Sequence, residues 1–437
     1  MRMQGLALET IPPIHIPFRF FLSAPWMGLL GALILLVSDT DAMAFQWNPA
    51  LLGVTHLLTL GFMAMVMLGA MFQIVPVISG QLVPGGAIVA ALVHAFLLGG
   101  VLLLSSGFYT ANYSIFLGAI PLLLFAFAIF LVALGSLLVR GVGGGDSIFC
   151  MRFAGLSLLV AVGLGLLRSA NYAGLTDLPV IDNVANIHIA WGLGGWTLLL
   201  VMAASYQVIP MFHVTPAYPV PLARALPITV FLSLLALTFV ENPIVQGLAV
   251  AFLGVAAMSY AVYTAYLLSR RKRKIPDVTA GFWRLSMGCL FLAALLTMAV
   301  YFWAALSSVT AMHHRMYIVL GILTIYGFAI SVIQGMLQKI VPFLSYLHLQ
   351  RRCLANIELL QTLPHMGNII PASNSRWQFR LHAAALILLL LATAHGFFAR
   401  PAALVMAADF AWLGYTLSRA AWLYHRCVLR IARSSPQ

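Results

Sequence analysis

The sequence predicts an all-α polytopic membrane protein of about 12 transmembrane helices. Three observations carry that expectation. Of 437 residues, 62% are hydrophobic and only 8% charged, against about 25% charged in an average soluble domain. Apolar runs of about 20 residues, long enough to cross a bilayer, recur along the chain. A stretch with a histidine near its start and a proline near its end returns three times at similar spacing. The formal charge of +13 would point to nucleic acid in a soluble chain. Here it is distributed among membrane loops, so the lipid bilayer is the expected partner and nucleic acid is not.

The runs lie near 18–38, 51–79, 84–106, 114–139, 149–169, 187–212, 226–241, 244–269, 282–306, 316–343, 378–398 and 401–424. With the N-terminus cytoplasmic, twelve spans place 20 of the 23 Lys and Arg residues on the inner side. Only Arg168, Arg315 and Arg400 remain outside, where Asp39, Asp41, Asp177, Asp182 and Glu241 gather. This is the positive-inside pattern, and it predicts that both termini are cytoplasmic in a bacterial-type inner membrane. Ala42-Met43-Ala44 has the form of a signal-peptidase site, but the preceding run is too long for a signal core and is read as retained.

Loops are mostly short, so residues 1–437 read as one integral membrane domain. Gly141–Asp146 reads as a flexible turn, 213–224 as a proline-rich connection, and 344–377 as a longer loop that begins amphipathically. The run Arg270–Lys274 reads as a topology determinant that contacts anionic lipid. Cys150, Cys289, Cys353 and Cys427 show no CxxC or CxxCH spacing. They therefore predict neither a disulfide framework nor covalently attached haem.

The repeated stretch organises the rest. His56 precedes Pro76 by 20 residues, in a segment ending Gln73-Ile-Val-Pro76. His188 precedes Pro210 by 22 residues, in a segment ending Gln207-Val-Ile-Pro210. A looser copy runs from His313-His314 to Val341-Pro342. The first two separations are each about six helical turns. Copies about 130 residues apart predict three pseudo-repeated four-helix arcs, near 18–139, 149–269 and 282–424.

In the predicted topology His56, His188, His313 and His314 all fall toward the outer leaflet. A buried polar side chain in lipid needs a partner, and imidazole is a common ligand of haem iron and copper. His56, His313 and His314 are therefore candidate cofactor ligands, and His188, His56 and His314 candidate metal ligands. The cofactors considered are a b-type haem and copper. Asp409 is the one carboxylate well inside a predicted span. With His395 and His94 it forms a candidate set for supporting a ligand or relaying protons. His15, His213, His348, His365, His382 and His425 are expected at cytoplasmic ends or loops. Helix packing explains the glycines of the second and sixth spans as well as room for a flat macrocycle does.

These residues resemble the haem–copper oxidase subunit I superfamily, which has twelve helices in three arcs. The pattern from His56 through Gly69, Ala70 and Gln73-Ile-Val-Pro76 to Gly80 is similar to that family's low-spin haem helix. The resemblance places His188 where the family has its first copper ligand. The opening Pro17-Phe18-Arg19-Phe20-Phe21 and the twelve-span size are also similar to the nitric-oxide-responsive haem and copper membrane family called NnrS. The chain departs from the oxidases in its seventh span, which has no histidine. It departs again in the tenth, where Leu320 and Ile322 stand at the expected haem-ligand positions. His313 and His314 lie about two turns, roughly 12 Å, further out.

Three functions stay open on this reading. The first is a haem- or copper-binding protein that is not a terminal oxidase, related to nitric oxide or metal stress. The second is a divergent nitric oxide or oxygen reductase subunit with an unidentified electron donor or partner subunit. The third is a transporter in which the histidines are structural.

Overall fold

The computed structural model describes residues 8–140, 145–176, 183–272, 277–304, 310–353 and 357–434. Among them the secondary structure is entirely helical, and 12 helices are long and apolar enough to cross a membrane. They are α1 His15–Val37, α2 Pro49–Ser79, α3 Gly86–Tyr109, α4 Tyr113–Arg140, α5 Gly145–Tyr172 and α6 Val184–His213. The series continues with α7 Val220–Phe239, α8 Pro243–Ser269, α9 Val278–Trp303, α10 His314–Arg352, α11 Ala372–Ala394 and α12 Gly396–Arg433. Asp177, Asp182, Arg273 and Lys274 lie outside the described residues, as does most of the Gly141–Asp146 turn.

Helix ends follow local chemistry. Asn48 and Asn242 cap α2 and α8 by accepting backbone N–H groups through their side-chain oxygens, and a proline follows each cap. Proline in the first turn costs no hydrogen bond there. The same logic corrects two expected boundaries. Helix α7 begins at Val220, inside the expected proline-rich connection, because Pro221 also falls in its first turn. Helix α10 runs on to Arg352, through the start of the expected 344–377 loop. There Leu349 and Cys353 bury against Leu363 and Ile431 of the long α12.

Burial sorts the helices. The most apolar stretch of α2 is 89% buried, that of α10 61% and that of α6 56%, against 33–44% for the other spans. Helices α2, α6 and α10 are therefore the inner helices, and the rest form the outer layer of the bundle. Helix α12 packs against α1, which brings the first and last spans together.

Each inner helix also changes its winding. Leu57–Ala64 in α2, Ala190–Thr197 in α6 and Ile322–Ile330 in α10 are π-helical. π-Helix is rare, weakly stable and frequent at functional sites. A widened turn leaves a carbonyl misaligned, and in α6 the Thr197 hydroxyl donates to the Gly192 carbonyl at 2.9 Å. The π segment of α10 touches those of both α2 and α6. Glycine permits the close approaches around them. A β-carbon at Gly61 would lie 2.8 Å from Met27 of α1, and one at Gly195 would lie 2.7 Å from Ser157 of α5.

The face of the bundle at which α1 begins is here called the terminal face. There Asp277 ties three helices together. Its Oδ2 is 2.9 Å from Lys339 Nζ of α10 and 3.6 Å from His213 Nδ1 of α6. Its Oδ1 accepts both the N–H and the hydroxyl of Thr279 at the start of α9. Burial raises the Asp277 carboxyl, but Lys339, Thr279 and His213 together outweigh it and hold the group below its ordinary value. A carboxyl depressed in the folded state stabilises above its unfolded value, near pH 3.9, and loses that contribution as pH falls through the folded value. The melting temperature in detergent should therefore drop on acidification below about pH 4. Asp277→Asn should melt lower at neutral pH and show a weaker acid dependence; an unchanged profile would remove Asp277 from this role.

Candidate functional site

The π segments of α2, α6 and α10 line one cavity of about 760 Å³, within the size range of ligand pockets. Its wall is mostly apolar. Its mouth lies on the face opposite the termini, where Gln46, Trp47, Arg168, Tyr172, Asn183 and Asn186 border it.

His56 and His188 both line this cavity. His56 Nδ1 lies 2.8 Å from the Leu52 carbonyl one turn earlier, and the ring stacks on Phe108 of α3 at 5.1 Å. His188 Nδ1 lies 2.9 Å from the Ala161 carbonyl of α5. Gly165 makes room for that ring, since a β-carbon there would lie 2.9 Å from His188 Cε1. A carbonyl can only accept, so in both residues Nδ1 carries the proton and Nε2 the lone pair. This is the arrangement that orients and tunes a metal-ligating imidazole. His56 immediately precedes the π segment of α2, and His188 lies two residues before that of α6. In α10 the corresponding positions are Leu320 and Gly321, which also line the cavity and bring no donor atom.

The donor set can be tested against each expected group. A copper held by three imidazoles does not fit: among the described residues no group of three or more His, Cys, Asp or Glu side chains could hold a metal ion. Two imidazoles lining an apolar cavity bordered by Arg168 are donors of the kind that a haem iron or a copper ion takes.

The other candidates lie elsewhere. His314 Nδ1 is 2.8 Å from Gln46 Oε1, and its ring packs edge-on against Phe45, so it braces the 45–47 turn beside the cavity mouth. The side chain of His313 lies outside the described residues. His94 pairs with Ser23 of α1 at 2.9 Å, against Phe20, away from the cavity. His395 is exposed between α11 and α12, where its Nδ1 accepts the Phe397 N–H. Ala42 and Met43 are buried in a short 3-10 turn, and Met43 lines the cavity.

Asp409 of α12 is fully buried in a polar cluster that draws on three helices. Its Oδ2 accepts from the Tyr326 hydroxyl at 2.6 Å and from Gln334 Nε2 at 2.8 Å, both of α10. Its Oδ1 accepts from Gln378 Nε2 of α11 at 2.5 Å. His382 of α11, also fully buried, lies 3.1 Å away through Nδ1 and stacks on Tyr326 at 4.5 Å. This corrects the expectation that His382 and His213 sit in solvated ends. Both are buried, because each meets a carboxylate from another helix. Ser331 Oγ lies 2.7 Å from His382 Nε2, which completes the connectivity of an acyl-transfer triad. Ser331 is fully buried and does not line the cavity, so no substrate carbonyl reaches it. Tyr326 does line the cavity, and it joins the cluster to the histidine site.

The sequence reading missed Tyr326, Gln334, Gln378 and His382. Their one local signal was polar residues at i, i+4 inside apolar spans, as at Gln378 and His382. No protein-family model matches the chain, and no curated protein matches it.

Proposed function

We propose that this chain is a haem- or copper-binding membrane protein, related to haem–copper oxidase subunit I and to the NnrS-type family, and not a terminal oxidase. One observation carries the reading. Two imidazoles from two inner helices, each with Nδ1 held by a backbone carbonyl and Nε2 left for a ligand, line one apolar cavity. His56 and His188 would hold the group, and Arg168 would pair with an acidic substituent on it. A haem or copper bound there would supply reversible binding of a small diatomic ligand such as nitric oxide, and one-electron exchange. The chain's own residues orient the imidazoles, exclude bulk water through an apolar wall, and leave the α10 side of the cavity without a competing ligand. A role in nitric oxide or metal stress, as sensor, carrier or protective factor, follows from that chemistry.

The purified protein should show a reduced-minus-oxidised haem spectrum or stoichiometric copper. It should consume no oxygen above background with an artificial electron donor. A preparation with neither haem nor copper would favour the transporter reading. Sustained oxygen turnover lost in His188→Ala would favour a reductase.

The same reading includes three four-helix arcs with α2, α6 and α10 innermost, and both termini on the cytoplasmic side of a bacterial-type inner membrane. Support comes from the three π segments, the prolines Pro76, Pro210 and Pro342 toward their ends, and the bias of Lys and Arg to the terminal face. Single cysteines at Asn183 and Lys272, in a chain whose native cysteines are replaced, should label with an impermeant reagent from opposite sides. Labelling from one side would overturn the topology.

A further inference from the structure

We propose that the Asp409 cluster is a proton path between the cavity and the terminal face, running through Tyr326, Asp409, Gln334, Gln378 and Gln338. The path is independent of any haem or metal. It rests on three observations.

The first is that Tyr326 belongs to both places at once: it lines the cavity and donates its hydroxyl to Asp409 Oδ2 at 2.6 Å. The second is that the cluster holds no Lys or Arg. The groups facing Asp409 from α10 and α11 are Tyr326, Gln334, Gln378 and His382. Between α1 and α12 the contacts are aromatic: Gly28 meets the Phe410 ring and Gly414 meets the Trp26 ring. Tyr326, Gln334 and Gln378 donate to the carboxylate and none of them carries a fixed charge.

The third observation gives the route its direction. Gln378 Oε1 and both side-chain polar atoms of Gln338 are buried with no hydrogen-bond partner among the described residues. Gln338 lies one turn from Gln334 toward the terminal face, beside Lys339 and its Asp277 contact. A buried amide left unpaired costs about 1–3 kcal/mol per group, and bound water is the usual remedy where polar groups converge. Water at Gln378 and Gln338 would carry the path from Asp409 to the terminal face.

The transfers balance. Tyr326 passes its hydroxyl proton to Asp409 Oδ2 and takes another on the same oxygen from a hydronium ion in the cavity, which is left as water. Asp409 then releases its proton to water held by Gln378 and Gln338, which passes it to the terminal face and leaves the carboxylate as it began. His382 steadies the carboxylate through Nδ1, while Ser331 fixes its tautomer at Nε2. The reverse direction uses the same steps.

The test uses the full chain reconstituted in phospholipid vesicles. A potassium diffusion potential set by valinomycin drives protons, and a trapped pH indicator reports them. Wild-type vesicles should change internal pH faster than protein-free vesicles. Asp409→Asn and Gln338→Leu should each slow that rate at least about tenfold, since the loss of a positioned proton carrier typically costs more than that. Asp409→Glu, which keeps a carboxyl, should restore conduction. Tyr218→Phe, in a hydroxyl pair with Thr264 remote from the path, should conduct as wild type. Should Asp409→Asn not fold, Gln338→Leu decides alone. Wild-type conduction equal to that of protein-free vesicles, or undiminished in Gln338→Leu, would overturn the path. Because the assay needs no haem or copper, its failure leaves the cofactor reading standing, and the reverse also holds.

Discussion

His56→Ala should retain less than about a tenth of the haem or copper bound by the wild-type protein, since losing even a group that supports a ligand costs about 10–100-fold in affinity. The physical basis is the division of labour within the ring. The Leu52 carbonyl engages Nδ1, and Phe108 holds the plane, so Nε2 is left for a ligand. His188→Ala should lose as much, for the same reason, with Ala161 in the place of Leu52. Gly165→Ala keeps both imidazoles but sets a β-carbon 2.9 Å from His188 Cε1. It should weaken binding less than either deletion, by turning one ring. His348→Ala, distant from the cavity lining, should bind as wild type. Cofactor content measured on purified, monodisperse protein decides the matter: equal occupancy in His56→Ala and wild type would return both histidines to a packing role.

Asp409→Ala should be the most damaging change in the buried cluster, at several kcal/mol, since each buried donor left without its acceptor costs about 1–3 kcal/mol. The deletion leaves the Tyr326 hydroxyl, the Gln334 amide and His382 Nδ1 buried without their acceptor, while Gln378 Nε2 keeps the Asp409 backbone carbonyl and Gln334 Oε1. Asp409→Asn keeps one acceptor oxygen and should cost less, about 1–3 kcal/mol. Tyr326→Phe removes one donor and satisfies the rest, so about 0.5–1.5 kcal/mol is expected. The order Ala, Asn, Phe in melting temperature, measured in one detergent, is the check. An Asp409→Ala protein as stable as Tyr326→Phe would mean that the cluster does not hold α10, α11 and α12 together.

The sequence by itself determined how many helices are long and apolar enough to cross a membrane and which two histidines deserve comparison. A bilayer forces each span to be about 20 apolar residues long, so the spans are visible as runs. His56 and His188 share a fixed distance to a closing proline, so one helix at a time is enough to align them. What only the tertiary structure decided was where each polar group meets its partner. Asp409 is bonded to residues 27 to 83 positions away on two other helices. Nothing in the period of α11 separates a solvated His382 from a buried one. The same limit hid the π segments, whose extra residue is stabilised by contact among the inner helices rather than by local propensity. It also hid the fate of the third histidine copy. The tenth span carries His314 too near its outer end to reach the cavity, and contact with Gln46 turns it into a brace at the mouth. Runs and spacings are properties of one helix, whereas a site in a membrane bundle is built from several. Its geometry appears only when the spans are packed against one another.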